Sequence, residues 1–408
     1  MSDPAGFRAT QRAMRILIWS PNYAPEPTGI PPLVTDAAEW LVARGHSVDV
    51  VTAVPNYPER RIHPEYRGVL FRSETLNGVR VHRSWLRART ERSFADKALY
   101  ELTISTFALP NAVRFARRAD VIVCLVPTLL AATYAAGLTR VVKRRLVLWV
   151  QDLVLDAAVS VGVGAAASHV LSAARRLEQA AVRAADSVVV CSPGFREYLI
   201  AGGAAPDRIE TIYNWADVDE IAPRPSNGNG RPVRFLYAGN LGFTQGFETL
   251  VEAARIGGDG VSVHIVGAGN ASETVRRLAA GVPNINIGAP VDRRDYSDLL
   301  ASADVQLVIQ RRISAGANLP SKIATSMASG RPLLASIDPT TPAADVLRDS
   351  GGAILVEPES PTSLAEGMNR LAADPELRAE LGAHARAYAE RTLAKQPALE
   401  RLEAVILG

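Results

Sequence analysis

The stretch "LPSK", residues 319–322, opens a helix-like segment that Gly330-Arg331-Pro332 closes. Pro320 suits a first helical turn, where its missing N–H costs nothing. Free amides around Ser321 and Lys322, with the Ser hydroxyl and the Lys ammonium, form a seat for an anion such as phosphate. Arg311, at the end of "DVQLVIQRR", offers a second cation. Thr325 lies four residues after Ser321, hence on the same helical face. Two glycine-rich turns share this part of the chain: Gly239-Asn240-Leu241-Gly242 and Gly267-Ala268-Gly269. Each follows a strand-like run and precedes a helix-like one, a setting that admits phosphate or ribose. A third such turn, Thr28-Gly29, follows three closely spaced prolines near the N-terminus and leads into a helix; there glycine lets backbone amides approach an anion. Gln151-Asp152 closes the strand-like run "LVLWVQD". A plainer reading stands beside these: glycines that serve packing alone, and a capped surface helix with a solvated lysine.

The elements that must position these residues follow from the pattern. "RILIWS", "SVDVVT", "DVIVCLV", "LVLWVQD" and "SVVVCS" punctuate the first half; "VRFLYAG", "VSVHIVG", "INIGAP", "DVQLVIQ" and "PLLAS" punctuate the second. Runs of Val, Ile and Leu without polar alternation belong to parallel sheets covered on both faces by helices. Two such series predict two Rossmann-like α/β domains, with ligands outside the carboxyl ends of the strands. The turn-rich segment 224–232, "RPSNGNGRP", separates the two series. We place an N-terminal domain at 14–215 and a C-terminal domain at 216–391, with a last helix, 392–408, packing back on the first.

The chain has 408 residues, enough for two cores, and its 48% apolar and 21% charged residues are those of a globular protein. A formal net charge of +3 is too small to argue for nucleic acid. The charge is uneven, with thirteen Lys/Arg against six Asp/Glu between Glu59 and Arg118. That bias suits an acidic lipid surface, or else a solvated arginine-rich face. Cys124 and Cys191 sit in apolar runs without metal or disulfide spacing, which fits core residues in a reducing cytoplasm. Residues 1–13 contain no apolar core of signal-peptide length. Uncharged residues 121–139 are long enough to span a membrane, but Pro127 divides them into a strand-like and a helix-like part, as in an α/β domain. His46, in the turn "RGHSV", is expected to be structural.

The ordered set "SPNYAPEPTGI", "RGHSVDVVT", "WVQDLVLDAAVSVG", "IYNWAD", "YAGNLGFTQGFETLVEAA" and "LPSKIATSMASGRPLLA" resembles the fourth family of retaining glycosyltransferases. Within it the chain looks closest to the colanic-acid and O-antigen branch, which includes fucosyl and N-acetylfucosaminyl transferases. The resemblance implies the GT-B fold, two Rossmann-like domains with parallel sheets facing a central cleft. It implies that the C-terminal domain holds a nucleoside-diphosphate-sugar donor and the N-terminal domain a glycan or lipid-linked acceptor. Thr28 and Gly29 would then lie near the donor diphosphate, and Gly239, Asn240 and Gly242 would line the cleft with Gly267 and Gly269. Arg311, Ser321 and Lys322 would neutralise phosphate at the donor-binding helix that Pro320 opens, Thr325 would lie near the ribose, and Gln151 and Asp152 beside the reacting sugar. The chain departs from many relatives in having Asn240 and Gln245 in place of a basic pair, and Ala317 and Thr325 in place of two glutamates. A Thr hydroxyl is a neutral, weaker ribose contact than a carboxylate.

The expected activity is transfer of a sugar to a glycan or lipid-linked hydroxyl with retention of configuration, on the inner face of the plasma membrane or in the cytoplasm. Cations and amides stabilise the leaving diphosphate in that mechanism, so no cofactor and no metal is expected. Two other readings fit the architecture: a nucleotide-sugar 2-epimerase and a non-catalytic partner that binds a nucleotide sugar.

Overall fold

The computed structural model describes residues 12–27, 29–57, 60–89, 94–153, 168–224, 232–312, 319–320 and 322–408. The first half builds one eight-stranded sheet from β1 (Arg15–Trp19), β2 (Ser47–Ala53), β3 (Phe71–Leu76), β4 (Val79–Ser84), β5 (Val121–Val126), β6 (Arg145–Val150), β7 (Ser187–Val190) and β8 (Ile209–Thr211), in the order β3-β4-β2-β1-β5-β6-β7-β8. Helices α1 (Ile30–Ala43), α2 (Phe94–Ala116), α3 (Leu129–Val142), α4 (Ser168–Ala184) and α5 (Pro193–Ala201) cover it. The second half builds a six-stranded sheet from β9 (Val233–Ala238), β10 (Val261–Val266), β11 (Ile285–Gly288), β12 (Val305–Ile309), β13 (Leu333–Ser336) and β14 (Ala353–Val356), in the order β11-β10-β9-β12-β13-β14. Its helices are α6 (Phe247–Gly257), α7 (Ser272–Ala279), α8 (Arg293–Ala301), α9 (Lys322–Ala328), α10 (Pro342–Ser350), α11 (Pro361–Ala373) and α12 (Pro375–Thr392), and α13 (Lys395–Leu407) ends the chain.

The apolar runs become central strands for the reason their composition suggests. All six residues of β5 are buried, with Val123 paired to Ile18 on one side and Val147 on the other. A strand covered on both faces needs no polar alternation. The second sheet is wholly parallel. The first is parallel except at its edge, where β3 runs antiparallel to β4. Its cause is the turn Asn77-Gly78, both at positive φ (48° and 82°), a two-residue hairpin whose twist matches the flanking strands.

Residues 121–139 form β5 and then most of α3, and among the described residues no helix is long and apolar enough to cross a membrane. Cys124 and Cys191 are buried free thiols. His46 is structural: its Nδ1 accepts from the Met14 amide (3.2 Å) and its Nε2 lies 3.2 Å from Glu403 on α13. Trp40 Nε1 also donates to Glu403 (3.0 Å), while Leu399, Leu402 and Ile406 join the core of the first sheet beside Val34 and Leu41. The chain thus crosses to the second half once and returns once. The crossings are stitched by Ala216 N to Leu393 O (2.9 Å) and Lys395 N to Ala216 O (3.0 Å). Lys395 Nζ ties Asp36 on α1 (3.0 Å) to Asp217 (3.3 Å) at the same place.

Candidate active site

In the second half, the turns after β9 and β10 lie directly on one another. Gly239 N donates to Val266 O (3.0 Å), Leu241 N to Ala268 O (2.9 Å) and Ala271 N to Leu241 O (2.8 Å), extending the ladder past the strand ends. The glycines are what this approach requires. A Cβ on Gly267 would sit 1.9 Å from Gly239 O, and one on Gly269 would sit 2.4 Å from Leu241 O. Gly242 N donates to Gln245 Oε1 (3.0 Å), so the residue standing in place of a lysine folds the turn back on itself. Asn240 and Gly239 are exposed at the rim, and Tyr237 OH donates to Asn240 O (2.8 Å).

Lys322 meets this double turn from α9. Its Cε and Nζ come within 3.5 Å of the point where a Gly239 Cβ would stand, so side-chain-free backbone and ammonium face each other. The stem is half-buried, but the nitrogen has essentially no exposed surface and, among the described residues, no hydrogen-bond partner. It lies against the face of the Tyr237 ring, whose centroid is 3.4 Å from Nζ. A ring face returns roughly 0.5–2 kcal/mol, less than a buried ammonium forfeits in hydration. Burial accordingly lowers the Lys322 pKa to about 7. A cation left in this state is a receptor for a negative group.

Arg311 is placed differently from the expected free cation. Its Nη2 lies 2.7 Å from both carboxylate oxygens of Glu248 on α6, and its Nη1 lies 3.5 Å from Glu359. Its Nε donates to Phe243 O (2.9 Å) and its amide to Thr244 O (2.9 Å). The guanidinium therefore pins the turn that leads into α6 and carries compensated charge. Pro320 lies just before α9, its carbonyl accepting from the Ile323 amide (3.0 Å). Thr325, one turn along, donates to Lys322 O (3.1 Å) and lies 3.5 Å from Tyr296 OH on α8. A tyrosine hydroxyl thus stands beside the position where many relatives have a glutamate. Thr28, Ser321 and Ala317 lie outside the described residues.

In the first half, Gly29 caps α1 at φ 81°, a conformation that favours glycine, and the Tyr57 ring packs 3.4 Å from its absent Cβ. Both are organised by Glu26, which the sequence reading missed. Its buried carboxylate accepts from the amides of Asn56 (2.8 Å), Tyr57 (2.7 Å) and Tyr23 (3.2 Å) and from Asn22 Nδ2 (3.1 Å). Burial nonetheless pushes its pKa upward, these N–H donors opposing that shift. Gln151 and Asp152 follow β6 as expected. The Asp152 carboxylate accepts from the Leu153 amide (2.9 Å), and Gln151 Oε1 accepts from Asn214 Nδ2 (2.8 Å). Among the described residues no cluster of three or more His, Cys, Asp or Glu side chains is arranged to hold a metal.

Comparisons with known proteins bear on the family and the fold. Residues 28–215 match the glycosyl transferase 4-like domain model and residues 218–388 the glycosyl transferases group 1 model. The chain is 30% identical to WcaI of Escherichia coli (strain K12), provisionally assigned as a colanic acid biosynthesis glycosyl transferase, over 95% of this chain and 98% of that one. It is 29% identical to D-inositol 3-phosphate glycosyltransferase of Xylanimonas cellulosilytica over 52% of this chain and 55% of the relative. The crystal structure of Anabaena Alr3699/HepE with UDP and glucose superposes with a TM-score of 0.68 at 18% identity, covering 96% of this chain and 98% of that one. The two facing halves, each presenting the carboxyl ends of its strands, are those of the GT-B fold, and the chain belongs to the glycosyl transferase family whose 4-like and group 1 domains it carries in tandem.

Proposed function

We propose that the chain transfers a sugar from a nucleoside-diphosphate donor to a hydroxyl of a glycan or lipid-linked acceptor, with retention, in cell-surface polysaccharide assembly. One observation carries this reading: Lys322 brings a buried amine, without a hydrogen-bond partner among the described residues, to a rim of bare backbone formed by Gly239 and Gly267. The diphosphate sits against that ammonium and the glycine turns. Charge builds on the diphosphate as the glycosidic bond breaks, so a preorganised cation there favours the transition state over the ground state. Arg311 acts at one remove, by fixing the turn between β9 and α6. Gly29 brings the start of α1 to the diphosphate, and Gln151 and Asp152 face the sugar. Tyr296 and Thr325 offer the ribose neutral hydroxyls. UDP or UDP-glucose bound to the Anabaena relative supports a nucleotide-sugar donor, and WcaI supports a polysaccharide pathway.

For the acceptor, a lipid-linked glycan agrees with the first domain's outer surface. Leu70, Phe71, Leu99 and Leu102 are exposed, and Arg61, Arg67, Arg72 and Arg89 are exposed in the same basic stretch. Not all its basic residues face outward: Arg83 is fully buried against Glu74, and Arg80 is paired with Asp49 (2.6 Å). Flotation with vesicles of anionic lipid tests this part, and equal recovery on neutral vesicles would count against it. A thermal-shift screen with UDP-, GDP- and dTDP-sugars tests the donor. One nucleotide class should raise Tm, and turnover with acceptor should follow for that class. Donor consumed without acceptor would instead favour an epimerase.

A further inference from the structure

Tyr237, next to last in β9, is fully buried and makes three contacts of different kinds. Its ring meets Phe247 of α6 edge to face (centroids 5.0 Å apart, 77° between planes), as core aromatics do. Its hydroxyl donates to Asn240 O (2.8 Å) and so ties the ring to the glycine turn that follows. Its face carries Lys322 Nζ, 3.4 Å from the centroid. Tyr237 and Gly239 are two residues apart at one strand end and share its face. The amine therefore sits between an aromatic ring and bare backbone, with Nζ 3.5 Å from where a Gly239 Cβ would stand.

A lysine head is a strongly hydrated point charge on a flexible stem, and here it has left water without gaining a hydrogen bond among the described residues. Burial lowers its pKa, and among the described residues no other titratable group shifts it; Tyr296 of α8 bears on Tyr237 instead. What lies against such an amine decides what it can do. A carboxylate would cancel the charge, as Glu248 and Glu359 do for Arg311. An aliphatic side chain would offer no electrostatic attraction, and the amine would lose its proton sooner. A ring face attracts the ammonium and leaves its three N–H donors free for an anion. We propose that Tyr237 is a positioning residue for the donor diphosphate: its ring keeps Lys322 charged and aimed at the glycine rim, and its hydroxyl fixes the turn of that rim. This rests on the glycosyltransferase reading above and adds the residue that holds the lysine cation before the nucleotide arrives.

Two measurements on the full chain test this role. First, affinity for UDP, GDP and dTDP is measured by calorimetry from about pH 5.5 to about pH 8.5 for wild type, Tyr237→Leu and Tyr237→Phe. For the nucleotide that binds, log affinity in wild type should break near pH 7, where free Lys322 loses its proton. Tyr237→Leu should move the break down by about one pH unit, the shift that a ring's attraction for a desolvated ammonium corresponds to. Its affinity should then match wild type within about threefold at the acid end and be about tenfold weaker at pH ~8. Tyr237→Phe keeps the ring, so its break should stay within about 0.3 of a unit while binding weakens about fivefold at every pH through the freed turn. Second, the Lys322 ε-protons should resonate upfield of those of other lysines in wild type and Tyr237→Phe, shifted by the ring, and should titrate near pH 7 in wild type. Ordinary ε-proton positions would overturn the inference even if Tyr237→Leu failed to fold. An equal loss at every pH in Tyr237→Leu, the mark of a core residue alone, would overturn it, as would a break at or above that of wild type. Nucleotide binding that both variants keep unchanged would overturn it and leave the glycosyltransferase reading standing. Binding of none of the three nucleotides to wild type would overturn both.

Discussion

The two halves place polar groups at their strand ends in opposite ways. In the first half the carboxylate of Glu26 collects five N–H donors and locks two loops together, and at the carboxyl end of β6 the neutral atoms Gln151 Nε2 and Asn214 Oδ1 are buried with no partner among the described residues. In the second half the Lys322 amine is buried against the Tyr237 ring with no hydrogen-bond partner among the described residues, while the charge of Arg311 is cancelled by Glu248 and Glu359. N–H donors offset most of the cost of burying a carboxylate, whereas an ammonium buried without partners keeps its cost until an anion binds. The contrast is the ground for proposing anion recognition in the second half.

The largest effect is expected where the second half's backbone rim is spoiled. Gly267→Ala would drive a methyl into Gly239 O, costing about 3 kcal/mol and parting both turns. Denaturant unfolding should show that loss together with loss of nucleotide binding; a stable variant with full binding would refute the stacked-turn geometry. Next comes the satisfied charge. Glu26→Gln replaces an acceptor oxygen by an NH2 that faces the N–H donors, and should cost roughly 1–3 kcal/mol in thermal unfolding. A silent substitution would erase the contrast between the halves.

The pH dependence sharpens the same contrast. The Lys322 pKa in the folded state is about 7, below the 10.5 of an ordinary lysine. The unfolded chain therefore binds more protons there than the folded one between those values. This group's contribution to stability rises as pH climbs from about 7, and its penalty is complete below that. Ligand binding has the opposite sense, because a diphosphate holds the proton on. Log affinity should be flat below about pH 7 and fall with a slope of up to about −1 above it. Calorimetry across pH 6–9 checks the slope, and a flat profile would contradict an amine that takes up a proton. The smallest effect belongs to Arg311→Ala. Its charge is already matched and a third of its side chain is exposed, so nucleotide affinity should change by less than about fivefold. A loss of the size expected for Lys322 would mean that Arg311 leaves its carboxylates to reach the ligand.

Much of the fold was legible because burial on both faces of a strand leaves a run of Val, Ile and Leu, as in β5 and β12. The β3–β4 hairpin was missed despite its Asn77-Gly78 signal, since β3 is an edge strand with exposed polar residues and no apolar run. The glycine turns were read as ligand seats. Their positions carry a steric reason, the contact of Gly267 with Gly239 O, which depends on pairing two segments distant in sequence. Lys322 could be picked out by type and place, but its isolation could not. That needs the knowledge that no carboxylate folds next to it. Glu26 and Asn214 were invisible for the same reason, their partners lying 30 and 63 residues away.

The account stands on the unpartnered ammonium, and one titration examines it directly. UDP, GDP and dTDP are titrated in turn into wild type and Lys322→Met near pH 6.5, with the unfolding midpoint of each protein recorded. For the nucleotide that binds wild type, the variant should lose about 30- to 100-fold in affinity, roughly 2–3 kcal/mol for a charge-assisted contact, with an unfolding midpoint equal to or above that of wild type. Equal affinity in the two proteins, or a variant that fails to fold because the ammonium was holding the core together, would contradict it.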